Sequence, residues 1–265
     1  MSTVSSQGTA LVTGASSGIG AVYADRLADR GYDLILVARG RERLAAQAAE
    51  IAARTGRQVE ALAADLSLAE GRATVEARLR TDASITLLVN NAGISEGGPL
   101  AVADPDNLEV MIDLNVIALT RLSAAAAAAF TARKSGAIVN LSSGLAILST
   151  PNTAAYGATK AYVLHFTRGL ADEVTSQGVQ VQAVLPGYTR TPMLSDDLLA
   201  TIPPEMVMPV DDLVDAALAG FDRGELVTIP SLPDSSDWDA FEAARAKITQ
   251  GASRNHPAAR YAKAA

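Results

Sequence analysis

Apolar runs of strand length recur along the chain and alternate with longer stretches of helical spacing. The runs are TALVT from Thr9, DLILVA from Asp33, VEALAA from Val59, TLLVN from Thr86, AIVNL from Ala137, VQVQAVL from Val179 and LVTI from Leu226. Most are apolar throughout rather than alternating, as strands must be when helices cover both faces of their sheet. Between them lie RERLAAQAAEIAART from Arg41, a segment opening SLAE at Ser67, an alanine-rich stretch from about Ala103 to Lys134, and another from Thr153 to Gln177. Ser67 and Glu70 form a capping-box pattern, and Gly31, Gly56, Gly136 and Gly178 follow the expected helix ends. This rhythm predicts an α/β fold, a doubly wound parallel sheet built from βαβ units.

With 265 residues, a single domain over 1–265 fits the size best. No repeat or linker interrupts the pattern. The Pro/Asp/Ser-rich IPSLPDSSDW from Ile229 reads as a loop before a last helix, giving a C-terminal extension over about 230–265. The chain is 49% hydrophobic and 19% charged, the balance of a folded globule rather than of long disorder. A net charge of -7 repels nucleic acid and anionic lipid, so any anionic ligand needs a local device to hold it. The absence of cysteine excludes disulfides and thiolate chemistry. His165 and His256 lie far apart in sequence and, without cysteine, could bind metal only with carboxylate help, so they read as ordinary helix or tail histidines and no metal is expected. The opening MSTVSSQG does not read as a leader, and the apolar run Ala124 to Phe130 falls short of the roughly 20 residues that span a bilayer. A soluble cytoplasmic protein is the resulting expectation.

The first strand runs directly into TGASSGIG, Thr13 to Gly20, and then into a helix. That order is what a dinucleotide pyrophosphate requires. Gly14 permits the turn, Gly18 lets backbone approach the phosphates, and Gly20 allows the helix to pack closely. The spacing is G-x-x-x-G-x-G. The second strand ends in LILVARGRERL, with Ala38 where an acid would meet a ribose 2′-hydroxyl and Arg39 beside it. A guanidinium binds a 2′-phosphate bidentately, so the reading favours NADP(H), with Arg41 or Arg43 as helpers.

At YGATK, Tyr156 and Lys160 stand four residues apart on one helix face. A free tyrosine titrates near 10, and a close ammonium favours its phenolate. Taken in order, TGASSGIG (13–20), NNAG (90–93), Asn115, LSS (141–143), Tyr156-x-x-x-Lys160 and PGYTRT (186–191) resemble the short-chain dehydrogenase/reductase family over roughly residues 9–192.

The resemblance implies a Rossmann-like sheet of about seven strands and assigns roles position by position. Tyr156 becomes the acid/base on the substrate oxygen. Lys160 lowers its pKa and bonds the nicotinamide ribose. Ser143 donates to the carbonyl oxygen, with Ser142 as the neighbouring alternative. Asn115 positions a water in a proton relay, its alternative being a plain hydrogen-bonded polar residue. Gly14, Ser16, Ser17, Gly18 and Ile19 form the phosphate turn. Asn91, Ala92 and Gly93 lie beside the adenosine and ribose, with Asn90 serving structure. Asp65 and Leu66 meet the adenine edge, although Asp65 also fits a helix start. Pro186, Gly187, Thr189 and Thr191 grip the carboxamide. Homodimers or homotetramers follow from the same resemblance.

The expected activity is hydride transfer between nicotinamide and a small-molecule ketone, aldehyde or secondary alcohol. LSDDLLATIPPEMVM lies within an expected substrate lid at about 192–208, and Leu145, Ile147 and Leu148 are candidate pocket walls. Three rivals stay open: an NAD-dependent alcohol dehydrogenase, a non-catalytic nucleotide-binding regulator, and an isomerase or dehydratase using bound cofactor transiently.

Overall fold

The computed structural model describes residues 7–261; most of the opening MSTVSSQG lies outside them. The chain divides after Pro230 into two compact units. The first carries β1 (Thr9–Thr13), α1 (Gly18–Asp29), β2 (Asp33–Ala38), α2 (Arg41–Thr55), β3 (Val59–Ala63), α3 (Ala69–Thr81) and β4 (Ile85–Asn90). It continues with α4 (Pro105–Ile112), a π-helical turn (Asp113–Ala118), α5 (Leu119–Arg133), β5 (Gly136–Leu141), α6 (Ala154–Val174), β6 (Val179–Val184), α7 (Asp196–Thr201), α8 (Val210–Asp222) and β7 (Val227–Thr228). The second holds α9 (Ser235–Gln250), capped by the Asp234 side chain on Ser236 N, with Trp238 stacked on Phe241.

The strands form one seven-stranded parallel sheet in the order β3-β2-β1-β4-β5-β6-β7. The fold is Rossmann-like. Strand order reverses between β1 and β4, and a crevice at the carboxyl ends of such neighbours is where doubly wound sheets take ligands.

Successive side chains of β1 feed two separate cores. Ala10 and Val12 face Tyr23 and Leu27 of α1, Leu44 and Ile51 of α2, and Leu213 and Ala217 of α8. Leu11 faces the other way, with Val75 and Leu79 of α3, Leu122 and Phe130 of α5, and Leu170 of α6. This two-sided burial is why the strands read as continuous apolar runs.

Two local expectations change. Ser67 does not cap α3: the helix begins at Ala69 without a side-chain cap, and the Ser67 hydroxyl instead donates to Asp65 Oδ1 at 2.7 Å. Gly136 follows the end of α5 as expected, the left-handed C-cap itself being Lys134 (φ 54). The alanine-rich stretch becomes a continuous helical run, Pro105–Arg133, which at 29 residues is long and apolar enough by length and composition to cross a membrane. Reading Ala124 to Phe130 alone missed this, because polar residues interrupt the run in sequence but not in the helix. Its Leu122, Ala126 and Phe130 pack into the second core.

Candidate active site

The glycine turn is built as a cradle. Gly14 (φ 64) and Gly18 (φ 54) are left-handed, a conformation glycine adopts without steric cost. A Cβ on Gly14 would lie 2.8 Å from Asn91 Nδ2 and 2.9 Å from Ala92 Cα. A Cβ on Gly18 would lie 3.4 Å from Thr191, so Thr191 closes the turn from the far side. Helix α1 opens at Ser17 without a side-chain cap, which leaves first-turn N–H groups directed at the crevice, where they suit an anion. Ser16, Ser17 and Ile19 line this turn, half-buried.

Thr13, at the end of β1, ties the turn to the next loop. Its hydroxyl donates to Val89 O at 3.3 Å and accepts from Asn91 N and Ala92 N, each at 3.0 Å. The Asn91 side chain points back, donating to Thr13 O at 2.9 Å and Gly14 O at 3.2 Å. Sequence reasoning placed Asn91 beside the adenosine and overlooked Thr13, although a hydroxyl immediately before Gly14 was the available signal. Asn90 is buried, bonded to Ser123 and to Asn140, which bonds Thr167; it serves the sheet.

Beyond the ends of β2 and β3, Arg39 is exposed, and Arg43 reaches across to Ser16 Oγ at 3.0 Å. Ala64 N donates to Ala38 O, which holds the Asp65–Leu66 loop beside Arg39. Asp65 Oδ1 accepts from both Ser67 N and Ser67 Oγ, and Leu66 is buried.

The loops after β5 and β6 stay laddered past the sheet. Ser142 N donates to Val184 O and Gly144 N to Pro186 O, both at 2.8 Å, fixing Ser143 between them. Ser142 Oγ is committed to Lys160 O at 2.8 Å, so Ser143 is the hydroxyl left for chemistry. It accepts from Leu145 N at 3.1 Å and engages the Tyr156 phenol.

Lys160 is buried, its Nζ 3.0 Å from Leu141 O and 5.6 Å from the Tyr156 ring centroid. Burial lowers its pKa to about 8. Burial also pushes Tyr156 up to about 12, partly opposed by the bond to Ser143. The expected lowering by Lys160 does not emerge: desolvation of the phenolate raises the value, and the opposing contribution comes from Ser143.

Asn115 sits in the π-helical turn, a distortion common at functional sites. It is buried, exchanging bonds with Ile94 N (3.0 Å) and Ile94 O (2.8 Å). Its Nδ2 also reaches Thr159 Oγ1 at 3.1 Å, and Thr159 donates to Tyr156 O at 2.7 Å. Thr159 is a further link that the spacing alone did not flag. Gly93 leaves room here: a Cβ would lie 3.1 Å from Asn115 Oδ1.

Pro186 is buried and Gly187 exposed, and Thr189 donates to Gly187 O. Thr189 bridges Met208, with Arg190 N on Met208 O and Met208 N on Tyr188 O. The expected lid is thus an excursion closed at its base. A small cavity of about 50 Å³ opens near Asn152, Ala154 and Ala155, ahead of Tyr156.

A glycine-lined crevice at the carboxyl edge of a doubly wound sheet, with a tyrosine, serine and buried lysine beside it, is the arrangement of an oxidoreductase scaffold. The family model for short chain dehydrogenase matches residues 8–199, and the chain belongs to that family. It is similar to a short-chain dehydrogenase from Sphingobium yanoikuyae in complex with NADPH (48% identity, TM-score 0.92, covering 96% of this chain and 100% of that one). It is also similar to the bulky-bulky ketone specific alcohol dehydrogenase from Comamonas testosteroni (42% identity, TM-score 0.90, covering 97% and 99%). Among curated relatives, it is 36% identical over 191 residues to a very-long-chain 3-oxoacyl-CoA reductase of Anas platyrhynchos, covering 69% of this chain and 60% of that relative's length.

Proposed function

We propose that this chain is an NADP(H)-dependent carbonyl reductase and alcohol dehydrogenase. The observation that carries the reading is the placement of Ser143 against Tyr156 with Lys160 buried beneath. The glycine cradle and uncapped α1 fit a pyrophosphate, and Arg39 with Arg43 supplies the positive charge for a 2′-phosphate. When bound, the nicotinamide supplies or accepts the hydride. Tyr156 donates the proton to the substrate oxygen, and Ser143 directs a hydrogen bond at the same oxygen as charge develops there. A phenol held protonated to about 12 is an acid at neutral pH, which favours reduction. Asn115 and Thr159 hold the start of α6 in register, and Thr189 and Thr191 close the nicotinamide end.

The substrate class is a ketone with two bulky apolar arms. Exposed Ile147 and Leu148 after Ser143, and Tyr188, Met193, Leu198 and Met206 on and before the lid, supply apolar walls on two sides. The Comamonas enzyme's stated specificity supports the same class. Exposed Ile117 and Tyr162 on the α5/α6 side suit a homodimer or homotetramer. Screening diaryl and aryl-alkyl ketones with NADPH and NADH tests the function: NADPH-dependent reduction is expected. No turnover with either cofactor on any ketone would overturn the reading.

A further inference from the structure

The loop Asp65–Ser67 is held by a device distinct from the catalytic residues and the glycine cradle. The loop lies at the carboxyl edge of β3, beside Arg39, where a doubly wound sheet receives the adenosine end of a dinucleotide. Helix α3 presses against it from below: Gly71 touches the Asp65 backbone so closely that any Cβ would collide with Asp65 O. One residue on, Arg72 is 9% exposed, unusual burial for a guanidinium unless it is bonded and paired. Its Nη1 donates to Leu66 O at 3.2 Å and to Ser67 O at 2.8 Å. The same atom lies 3.7 Å from Asp113 Oδ2. Asp113 opens the π-helical turn that carries Asn115, and Leu66 and Leu114 line one narrow cleft with Thr13 and Ala92.

We infer that Arg72 is a positioning residue for the cofactor: it clamps the Asp65–Ser67 loop to the Asp113–Ala118 turn and so sets the adenosine pocket against the catalytic end. The inference rests on the proposed NADP(H) reading. Nη1 carries two N–H donors, one for each carbonyl, while the guanidinium charge faces the Asp113 carboxylate; a methionine of similar length supplies neither donor nor charge.

Binding of adenosine 2′,5′-bisphosphate and of NADPH is measured by titration for wild type, Arg72→Met and Asp113→Asn. Failure of wild type to bind either probe removes the NADP(H) reading itself, before Arg72 is in question. Given wild-type binding, Arg72→Met is expected to weaken both probes by roughly tenfold, the scale of one or two charged hydrogen bonds. It should raise the KM for NADPH by the same factor while kcat at saturating NADPH stays within about threefold. Arg72→Lys, which keeps a donor for Ser67 O, should recover part of the loss. Asp113→Asn should weaken the bisphosphate by about threefold, and it decides the matter if Arg72→Met does not fold. Affinities within twofold of wild type in the folded variants, whatever their Tm, would overturn the inference.

Discussion

Arg43 Nη2 donates to Ser16 Oγ across 3.0 Å, joining the first turn of α2 to the glycine turn. With Arg39 exposed beside it, two guanidinium groups border the same corner. Arg39→Asp should weaken NADPH binding by roughly tenfold or more and shift preference toward NADH. Arg43→Ala should weaken NADPH binding less and leave NADH nearly unchanged. Titration of each variant with both nucleotides checks this; retained NADPH preference in Arg39→Asp would take that residue out of the 2′-phosphate site.

Removing the phenol hydroxyl separates binding from chemistry. Tyr156→Phe should lower kcat by about 10²–10⁴-fold with NADPH affinity near wild type. Wild-type-like turnover would show that the proton comes from elsewhere.

Burial of Lys160 and Tyr156 leaves a signature in stability against pH. The folded state holds Lys160 at about 8 against an ordinary value of 10.5, so between those pH values the unfolded chain binds more protons and stability rises with pH. Tyr156 is raised from 10.0 to about 12; above pH 10 the folded chain keeps a proton the unfolded one loses, so on that account stability falls as pH rises from 10 towards 12. Denaturant unfolding from pH 7 to 11 should therefore show a rise from about 8 to 10, and Lys160→Met should remove it.

Two left-handed glycines differ in what surrounds them. Gly56 (φ 70) has open space within 4 Å of where a Cβ would stand, whereas Gly14 (φ 64) faces Asn91 and Ala92. Gly56→Ala should cost only the backbone strain, ~1 kcal/mol. Gly14→Ala adds a steric clash and should cost at least ~2 kcal/mol. Equal losses in denaturant unfolding would mean that the contacts at Gly14 are easily relieved.

Arg26 joins α1 to α8, 2.7 Å from Asp215 and 2.9 Å from Asp211. The guanidinium holds the Asp215 carboxyl below its ordinary range, so this contribution is present above the usual carboxylate pKa and is lost as pH falls through the lowered one. Arg26→Ala should cost about 0.5–1 kcal/mol at low salt, the scale of a partly exposed network, and less at 1 M salt. A loss that does not change with salt would assign Arg26 a packing role instead.

The seven strands were legible because both faces of each are buried, and an apolar run cannot mean much else at that length when helical stretches separate it from the next. That Tyr156 and Lys160 share a face was legible through their spacing on α6, whereas Ser143, in the loop after β5, was legible only through the family resemblance. The π-helical turn at Asp113–Ala118 was not, since the alanine-rich helix that follows carries too little hydrophobic contrast to show the phase shift an extra residue makes. Nor could sequence show that Asn91 turns inward to Thr13 and Gly14, or that Ser67 serves Asp65 rather than α3. Those are choices between hydrogen-bond partners of similar strength, made only when separate loops meet. The raised Tyr156 pKa belongs to the same group: proximity of a lysine is written in the chain, while the extent of burial is not.

The Thr189–Met208 bridge has a consequence for how this molecule could diversify. Ser143 and Tyr156 are anchored to the sheet and α6, whereas the segment that leaves after Thr191, itself packed beside Gly18, returns to that frame at the Thr189–Met208 bridge and its two flanking bonds. On the proposed reading, exchanging that loop between relatives is expected to change which ketone is accepted while Ser143 and Tyr156 keep their places.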